Sequence, residues 1–207
     1  MLLALHRRRT SAKLRTMQRI GSGTLRGRVL RSLPASVGGV RPTGSRVRGA
    51  IFDRLQADVR GATVLDLFAG TGALAIEALS RGAARATLVD VQPAVARFLQ
   101  EQIRELALAD RVTVVRADAG EFLRRSPRPA TPHDLVLLDP PYDETHAQVP
   151  ALLAALLSGG WLTPEALVVC EYDRSHGAPP DNGPAWICEA RRTYGQTGVD
   201  FLRRAAP

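Results

Sequence analysis

Three aspartates each end an apolar, β-prone run, where a carboxylate is placed to accept hydrogen bonds from a bound ligand. Asp66 lies near the end of the first run, Asp90 ends ATLVD and Asp118 ends VTVVRAD. Asp90 lies 20 residues beyond Gly70, and an acid at that place in a doubly wound sheet reaches the two hydroxyls of a ribose. Asp118 lies one strand further out, where an adenine amino group would sit. Each aspartate alone is equally suited to cap a helix, but together the three predict a site for a ligand that contains adenosine.

A glycine-rich turn accompanies the first of these acids. The stretch Val64–Leu79, VLDLFAGTGALAIEAL, has an apolar strand pattern, then Gly70-Thr71-Gly72, then a helical pattern. Glycine lacks a Cβ, so the backbone can turn tightly here and approach a ligand, and the first N–H groups of the following helix point into the turn. A plain strand-to-helix turn in an α/β protein is the alternative interpretation.

Two adenosine ligands compete for this turn. Ala75 stands where the dinucleotide-binding pattern G-x-G-x-x-G has its third glycine, and an alanine is tolerated there, so NAD is one alternative. The carboxylate of Asp66 is an unfavourable neighbour for a pyrophosphate, but it suits a ligand with an amino group and a sulfonium, which describes S-adenosylmethionine. The predicted cofactor-binding residues are Asp66, Phe68, Ala69, Gly70, Thr71, Gly72, Asp90, Val91, Asp118 and Ala119.

The predicted catalytic residues, Asp139-Pro140-Pro141-Tyr142, follow the apolar run Leu135–Leu138. The two prolines make this loop rigid and donate no hydrogen bonds, so nearby carbonyls stay available as acceptors. Asp139 and the carbonyl of Pro140 are suited to hold an exocyclic NH2 group, and Tyr142 to stack on the base that carries it. The sequence resembles the amino-methyltransferases in this motif, (D/N/S)PP(Y/F). A rigid surface turn is the alternative.

Strand and helix patterns alternate from residue 62 onward, as is typical of a parallel sheet covered on both faces. The last two strands should form an antiparallel hairpin joined at Gly195-Gln196. The fold class predicted is therefore α/β, a doubly wound, mostly parallel, seven-stranded, Rossmann-like sheet. The strands are expected at 62–67, 86–90, 112–116, 134–138, 166–171, 186–194 and 197–202, and the helices at 73–80, 93–107, 119–125 and 145–157.

The N-terminal part of the chain is strongly basic. The whole chain carries a net charge of +8, but residues 1–60 hold 14 Arg or Lys and two Asp or Glu, a balance of +12. We expect a disordered tail at 1–16, a small hairpin extension at 17–43, and the main domain at 44–207, which opens on a helix at 45–57 capped by Ser45. Such asymmetry favours a polyanion partner, although a solvated arm rich in arginine is the alternative. The predicted RNA-binding residues are Arg19, Arg26, Arg28, Arg41 and Arg46.

Other features bound the protein class. The longest uninterrupted apolar run, Ala151–Leu157, is far too short to cross a membrane, and the N-terminus does not have the order of charges of a secretion signal. Cys170 and Cys188 lie in strand-like runs, so we expect both to be reduced core residues of a cytoplasmic protein. The four histidines do not have the spacing of metal ligands, and we expect no metal site.

Several short segments along the chain indicate which methyltransferase family the sequence resembles. The segments RIGSGTLRGR from Arg19, RPT from Arg41, RVR from Arg46 and DLFAGTGALAIEALSRGA from Asp66, together with DPPY and RTYG from Arg192, resemble the RsmD-type 16S ribosomal RNA guanine-N2 methyltransferases. The family pattern has acids where this chain has Ser45 and Gly49. The resemblance implies a class I methyltransferase fold, S-adenosylmethionine as methyl donor, and 16S ribosomal RNA of the small ribosomal subunit as substrate. We expect that RNA to be carried on an assembled or partly assembled 30S subunit, and the enzyme to be a monomer.

Two other classes stay open. The DPPY motif also serves adenine-N6 chemistry, so a DNA or RNA adenine-N6 methyltransferase is one alternative, although no separate DNA-reading domain is visible in so short a chain. The other is an RNA-binding protein without catalytic activity on the same fold, which the intact cofactor residues disfavour.

Overall fold

The computed structural model describes residues 18–34, 37, 44–141, 145–177 and 183–205, without the side chains of 145–147. Three sequence predictions lie outside these residues: the basic tail at 1–16, the RNA contact at Arg41 and the stacking residue Tyr142.

The molecule is built on a seven-stranded sheet, accompanied by a two-stranded hairpin. The hairpin strands β1 and β2 span Gln18–Arg19 and Val29–Leu30 and pair antiparallel. The sheet strands are β3 Thr63–Asp66, β4 Arg85–Asp90, β5 Val112–Arg116, β6 His133–Leu138, β7 Leu162–Asp173, β8 Trp186–Tyr194 and β9 Thr197–Arg204. They lie in the order β5-β4-β3-β6-β7-β9-β8, parallel except that β9 runs antiparallel to both of its neighbours. The predicted fold class, including the hairpin, is confirmed.

Helices cover both faces of the sheet. They are α1 Ser45–Arg54, α2 Gln56–Val59, α3 Ala73–Ser80, α4 Pro93–Glu105, α5 Ala119–Arg125 and α6 Thr145–Ser158, and a 3-10 turn spans Arg174–His176. The predicted cap at Ser45 is wrong: Gly44 occupies the cap position, and no side chain there accepts a hydrogen bond. Among the described residues, none of the helices combines the length and apolar content that crossing a membrane requires.

The apolar side chains form two clusters, one on each face of the sheet. The first cluster joins the hairpin, α1, α3 and α4, and includes Ile20 and Leu30 at 2% and 1% exposure. The second joins α5 and α6 and includes Cys170. Cys170 is thus a free core residue as predicted, but the prediction that Cys188 is a core residue is wrong, because Cys188 is free and exposed on strand β8. The hairpin contributes to the main core although it lies outside the main sheet.

Strand β7 starts at Leu162, four residues earlier than the predicted 166, and therefore includes Pro164. The pairing of β6 with β7 shifts register between His133 and Leu135, and Pro164 lies in the longer β7 segment of this irregularity. A proline is acceptable there because a bulged residue makes no ladder hydrogen bond.

The chain order reverses at the centre of the sheet. From β3 the chain moves outward to β4 and β5, then returns to β6 on the other side of β3. Open α/β sheets bind ligands at the carboxyl ends of the strands where the order reverses. Asp66 ends β3 and Asp139 follows β6, so these two acids flank the reversal point.

Candidate cofactor and acceptor site

The glycine turn joins β3 to α3 in a conformation that requires glycine. Gly70 and Gly72 have φ values of 50° and 74°, which side chains with a Cβ disfavour. A Cβ on Gly72 would also lie 2.9 Å from the Leu99 side chain, so the buried Leu99 would have to shift to make room for it. The Gly72 N–H donates to the Ala69 carbonyl at 2.6 Å, which closes the turn. The first N–H groups of α3 are therefore held next to the ends of β3 and β4.

Asp66 is the least ordinary residue of the site. Its side chain is 1% exposed, and neither carboxylate oxygen has a hydrogen-bond partner among the described residues. Burial, and secondly the nearby charge of Asp139, raises the pKa of Asp66 to about 7. The Phe68 and Ala75 N–H groups lie near enough to the carboxylate to oppose this shift, but they do not meet the geometry of a hydrogen bond. A buried acid without a partner is costly unless a ligand supplies one, and a cationic amino group would do so. This observation fits S-adenosylmethionine better than a pyrophosphate.

Asp90 holds the glycine turn from the next strand. Its Oδ2 accepts from the Gly70 N–H at 3.0 Å and its Oδ1 accepts from the Gln92 N–H at 2.9 Å. Burial raises the pKa of Asp90, and these two amide hydrogen bonds oppose the rise. Each oxygen keeps a further lone pair, so the carboxylate can still accept from the hydroxyls of a ribose. The neighbouring Val91 is 58% exposed, which leaves an apolar surface beside Asp90.

Asp118 caps α5 and is exposed. Its Oδ1 accepts from the Glu121 N–H at 2.9 Å, so the capping role that the sequence left open is present. The second oxygen is not part of this bond and is available to a ligand. The following residue, Ala119, is buried in the core of the second face, while Phe68 is half-buried against it.

The acceptor loop begins directly after β6. Asp139 is half-buried, Pro140 is buried and Pro141 is exposed, so Pro140 anchors the loop at its start. Burial, together with nearby acids that include Asp139, raises the pKa of the Cys170 thiol on β7, which keeps it neutral. Asp66 ends β3 and Asp139 follows the adjacent parallel strand β6, so the structure brings these two acids together at the carboxyl edge of the sheet.

The predicted RNA-binding arginines that the structure describes all lie on the surface. Arg19 donates to the Gly27 carbonyl at 3.1 Å, and Arg28 donates to the Glu105 carbonyl at 3.2 Å. Arg26, in the hairpin turn, and Arg46, in the first turn of α1, are exposed and form no ion pair with the described residues. The hairpin thus presents positive charge to solvent, while its backbone is fixed to the domain.

The sequence interpretation missed a buried polar group beneath the hairpin. Glu77 on α3 and Arg48 on α1 are each 1% exposed, and Arg48 Nε lies 3.3 Å from Glu77 Oε2. Gln102 on α4 is also 1% exposed. A lone acid within the apolar helix ALAIEALS was the available signal for Glu77. Among the described residues, no group of His, Cys, Asp or Glu is suited to hold a metal ion.

Comparisons with known proteins agree with this fold. The sequence profile of the family described as "Conserved hypothetical protein 95" matches residues 18–203. The chain is 37% identical to Ribosomal RNA small subunit methyltransferase D of Escherichia coli, over 91% of this chain and 90% of that protein. It is 34% identical to the protein of the same name from Haemophilus influenzae, over 86% and 89% of the two chains. The solved structure of yhhF from Escherichia coli, 34% identical, superposes with a TM-score of 0.80 and covers 92% of this chain and 99% of its own.

Proposed function

The chain belongs to the family of the ribosomal RNA small subunit methyltransferases D, and on that premise we propose that it methylates the exocyclic N2 amine of a guanine in 16S ribosomal RNA, with S-adenosylmethionine as donor. The family membership supports a methyltransferase acting on ribosomal RNA. The DPPY motif supports an exocyclic amine as the acceptor, and the N-terminal resemblance supports guanine N2 among such amines.

Three acids of the carboxyl edge would hold the cofactor, which supplies an electrophilic methyl group when bound. Asp66 is suited to its amino group, because this carboxylate is buried and has no partner among the described residues. Asp90 is suited to the ribose hydroxyls and Asp118 to the adenine amino group, each through lone pairs that its backbone hydrogen bonds leave available.

The acceptor loop would hold the target base. Asp139 and the Pro140 carbonyl accept hydrogen bonds from the exocyclic amine, which orients the nitrogen lone pair and draws it out of conjugation with the ring. The base has to leave its stack to reach this loop, and Tyr142 is proposed to replace the lost stacking. The protein contributes mainly positioning and the exclusion of water.

One observation carries the proposal. Asp66 and Asp139 follow adjacent parallel strands at the reversal point, close enough for the charge of Asp139 to raise the pKa of Asp66. An acid suited to a cation therefore stands beside an acid suited to an exocyclic amine. Transfer of a group between two ligands needs this adjacency, whereas a binding protein without catalytic activity does not.

The test is to incubate the purified full chain with labelled S-adenosylmethionine and unmethylated 30S subunits, then to digest the RNA and identify the labelled nucleoside. We expect N2-methylguanosine, no label with Asp139→Ala, and normal labelling with Asp110→Ala, an exposed control. Asp139→Ala should still bind the cofactor. Naked 16S RNA and duplex DNA serve as parallel substrates, and label in N6-methyladenine or on DNA alone would favour the adenine-N6 alternative.

A further inference from the structure

The glycine turn is held by two glutamines that connect it to the basic hairpin. The Thr71 hydroxyl donates to Gln18 Oε1 at 3.1 Å, and Gln18 belongs to β1. The Thr71 carbonyl accepts from Gln102 Nε2 at 2.6 Å, while Gln102 Oε1 accepts from the Arg31 N–H at 2.8 Å. Since Arg31 directly follows β2, both strands of the hairpin are linked to Thr71.

The hairpin also holds the far end of the helix that the glycine turn begins. The Glu77 carboxylate accepts from the N–H groups of Gly21 at 2.8 Å and Ser22 at 3.1 Å. Further along α3, the Ser80 hydroxyl accepts from the Leu25 N–H at 2.9 Å. Helix α3 is therefore fixed to residues 18–31 at both of its ends.

The bond between Gln102 and the Thr71 carbonyl is buried and the other contacts are partly buried, so they resist small displacements. Gln102 is 1% exposed, and its amide is the group that links the Thr71 carbonyl to the hairpin backbone. A movement of the hairpin would shift the Arg31 N–H and leave a buried polar group without its partner, which is unfavourable. We therefore expect that a displacement of the hairpin also displaces Thr71, and that an ordered hairpin keeps Thr71 in place.

We propose that Gln102 is a positioning residue that couples RNA binding on the hairpin to cofactor binding at the glycine turn. This inference rests on the proposed function, since it needs both ligands. RNA phosphates on Arg26 and neighbouring arginines stabilise the hairpin, and the hairpin stabilises Thr71 through Gln102. Coupling of this kind is reciprocal, so the cofactor also raises the affinity for RNA.

The test compares the affinity of the full chain for S-adenosylhomocysteine with and without saturating unmethylated 30S subunits, by equilibrium dialysis. This probe carries no transferable methyl group, so turnover does not disturb the measurement. We expect the particles to tighten binding about 5-fold or more in the wild type, the usual lower range of such coupling. Gln102→Met should lower this ratio, although the link through Gln18 remains, while Gln100→Met, on the exposed side of the same helix, keeps it.

A second readout needs no ligand. Hydrogen exchange of the amides at 69–72 should be faster in Gln102→Met than in Gln100→Met, with thermal unfolding followed to verify that both variants are folded. If Gln102→Met does not fold, Gln18→Met, at a half-exposed position, removes the other link and should lower the same ratio.

The outcomes separate the two proposals. A wild-type ratio of one in a protein that binds 30S subunits, or an unchanged ratio in Gln102→Met, overturns the coupling while the proposed function stands. A wild-type protein that binds neither S-adenosylhomocysteine nor 30S subunits overturns the proposed function itself.

Discussion

Replacing Asp66 by asparagine removes a buried charge while keeping the shape of the side chain. The pKa of Asp66 rises from 3.8 to about 7, chiefly through burial. At about 1.4 kcal/mol per pH unit, ionised Asp66 costs on the order of 4 kcal/mol of folding free energy above pH 7. The Asp66→Asn variant is free of this cost, although its amide is also buried without an evident partner.

The sign follows from proton linkage. Because the folded protein binds this proton more tightly than the unfolded chain does, the stability that Asp66 contributes is fully present below pH 3.8 and is lost as the pH rises to about 7. The free energy of unfolding of Asp66→Asn minus that of the wild type should therefore increase by roughly 2–3 kcal/mol between about pH 5 and about pH 8. The buried amide adds a constant that does not change with pH.

Urea unfolding of both proteins at several pH values measures this difference. Asp110→Asn, at an exposed position, is the matched control for replacing a carboxylate by an amide. A difference between Asp66→Asn and wild type that does not change with pH would show that Asp66 is not a strained buried acid, and the reasoning about its role would fail.

Three further predictions concern the ligands. The affinity of the wild type for S-adenosylmethionine, measured by calorimetry, should rise with pH through about 7, because a cationic amino group needs ionised Asp66, and Asp66→Asn should lose this dependence. Asp90→Ala should weaken cofactor binding by roughly 1.5–3 kcal/mol, the range for hydrogen bonds to a charged group, and tighter binding of NAD than of S-adenosylmethionine would contradict the assignment. The double variant Arg26→Gln, Arg46→Gln should bind 30S subunits with a smaller salt slope, because fewer counterions are released, and an unchanged slope would mean that these arginines are merely solvated.

Much of the sheet could be predicted from the sequence, because buried parallel strands are apolar runs that turn residues interrupt. Strand β5 and helices α3 and α5 have the predicted bounds. The three strand-end acids and Asp139 lie at one edge for the same reason, since parallel strands bring their carboxyl ends together. Local pattern was sufficient for these features.

Contacts between distant parts of the chain could not be predicted in this way. The sequence indicated a basic hairpin but not that Ile20 and Leu30 are core residues, so deleting residues 1–31 would expose that core as well as remove arginines. Glu77 meets its backbone partner Gly21 across 56 positions, and no local period reports such a pair. The Ser45 cap failed because neighbouring Gly44 takes the cap position instead.

The cost of Asp66 and its proposed role have one physical origin. A protein gains stability by pairing or removing a buried carboxylate, so an unpartnered one is expected mainly where a ligand completes it. If a cationic ligand does so, its binding draws the pKa of Asp66 back down and releases a proton near neutral pH. The stability difference between Asp66→Asn and wild type, and the affinity of the wild type for the cofactor, should then both stop changing above a pH of about 7. If the two quantities level off at clearly different pH values, another group binds the cofactor amine, and the buried Asp66 destabilises the fold without serving this function.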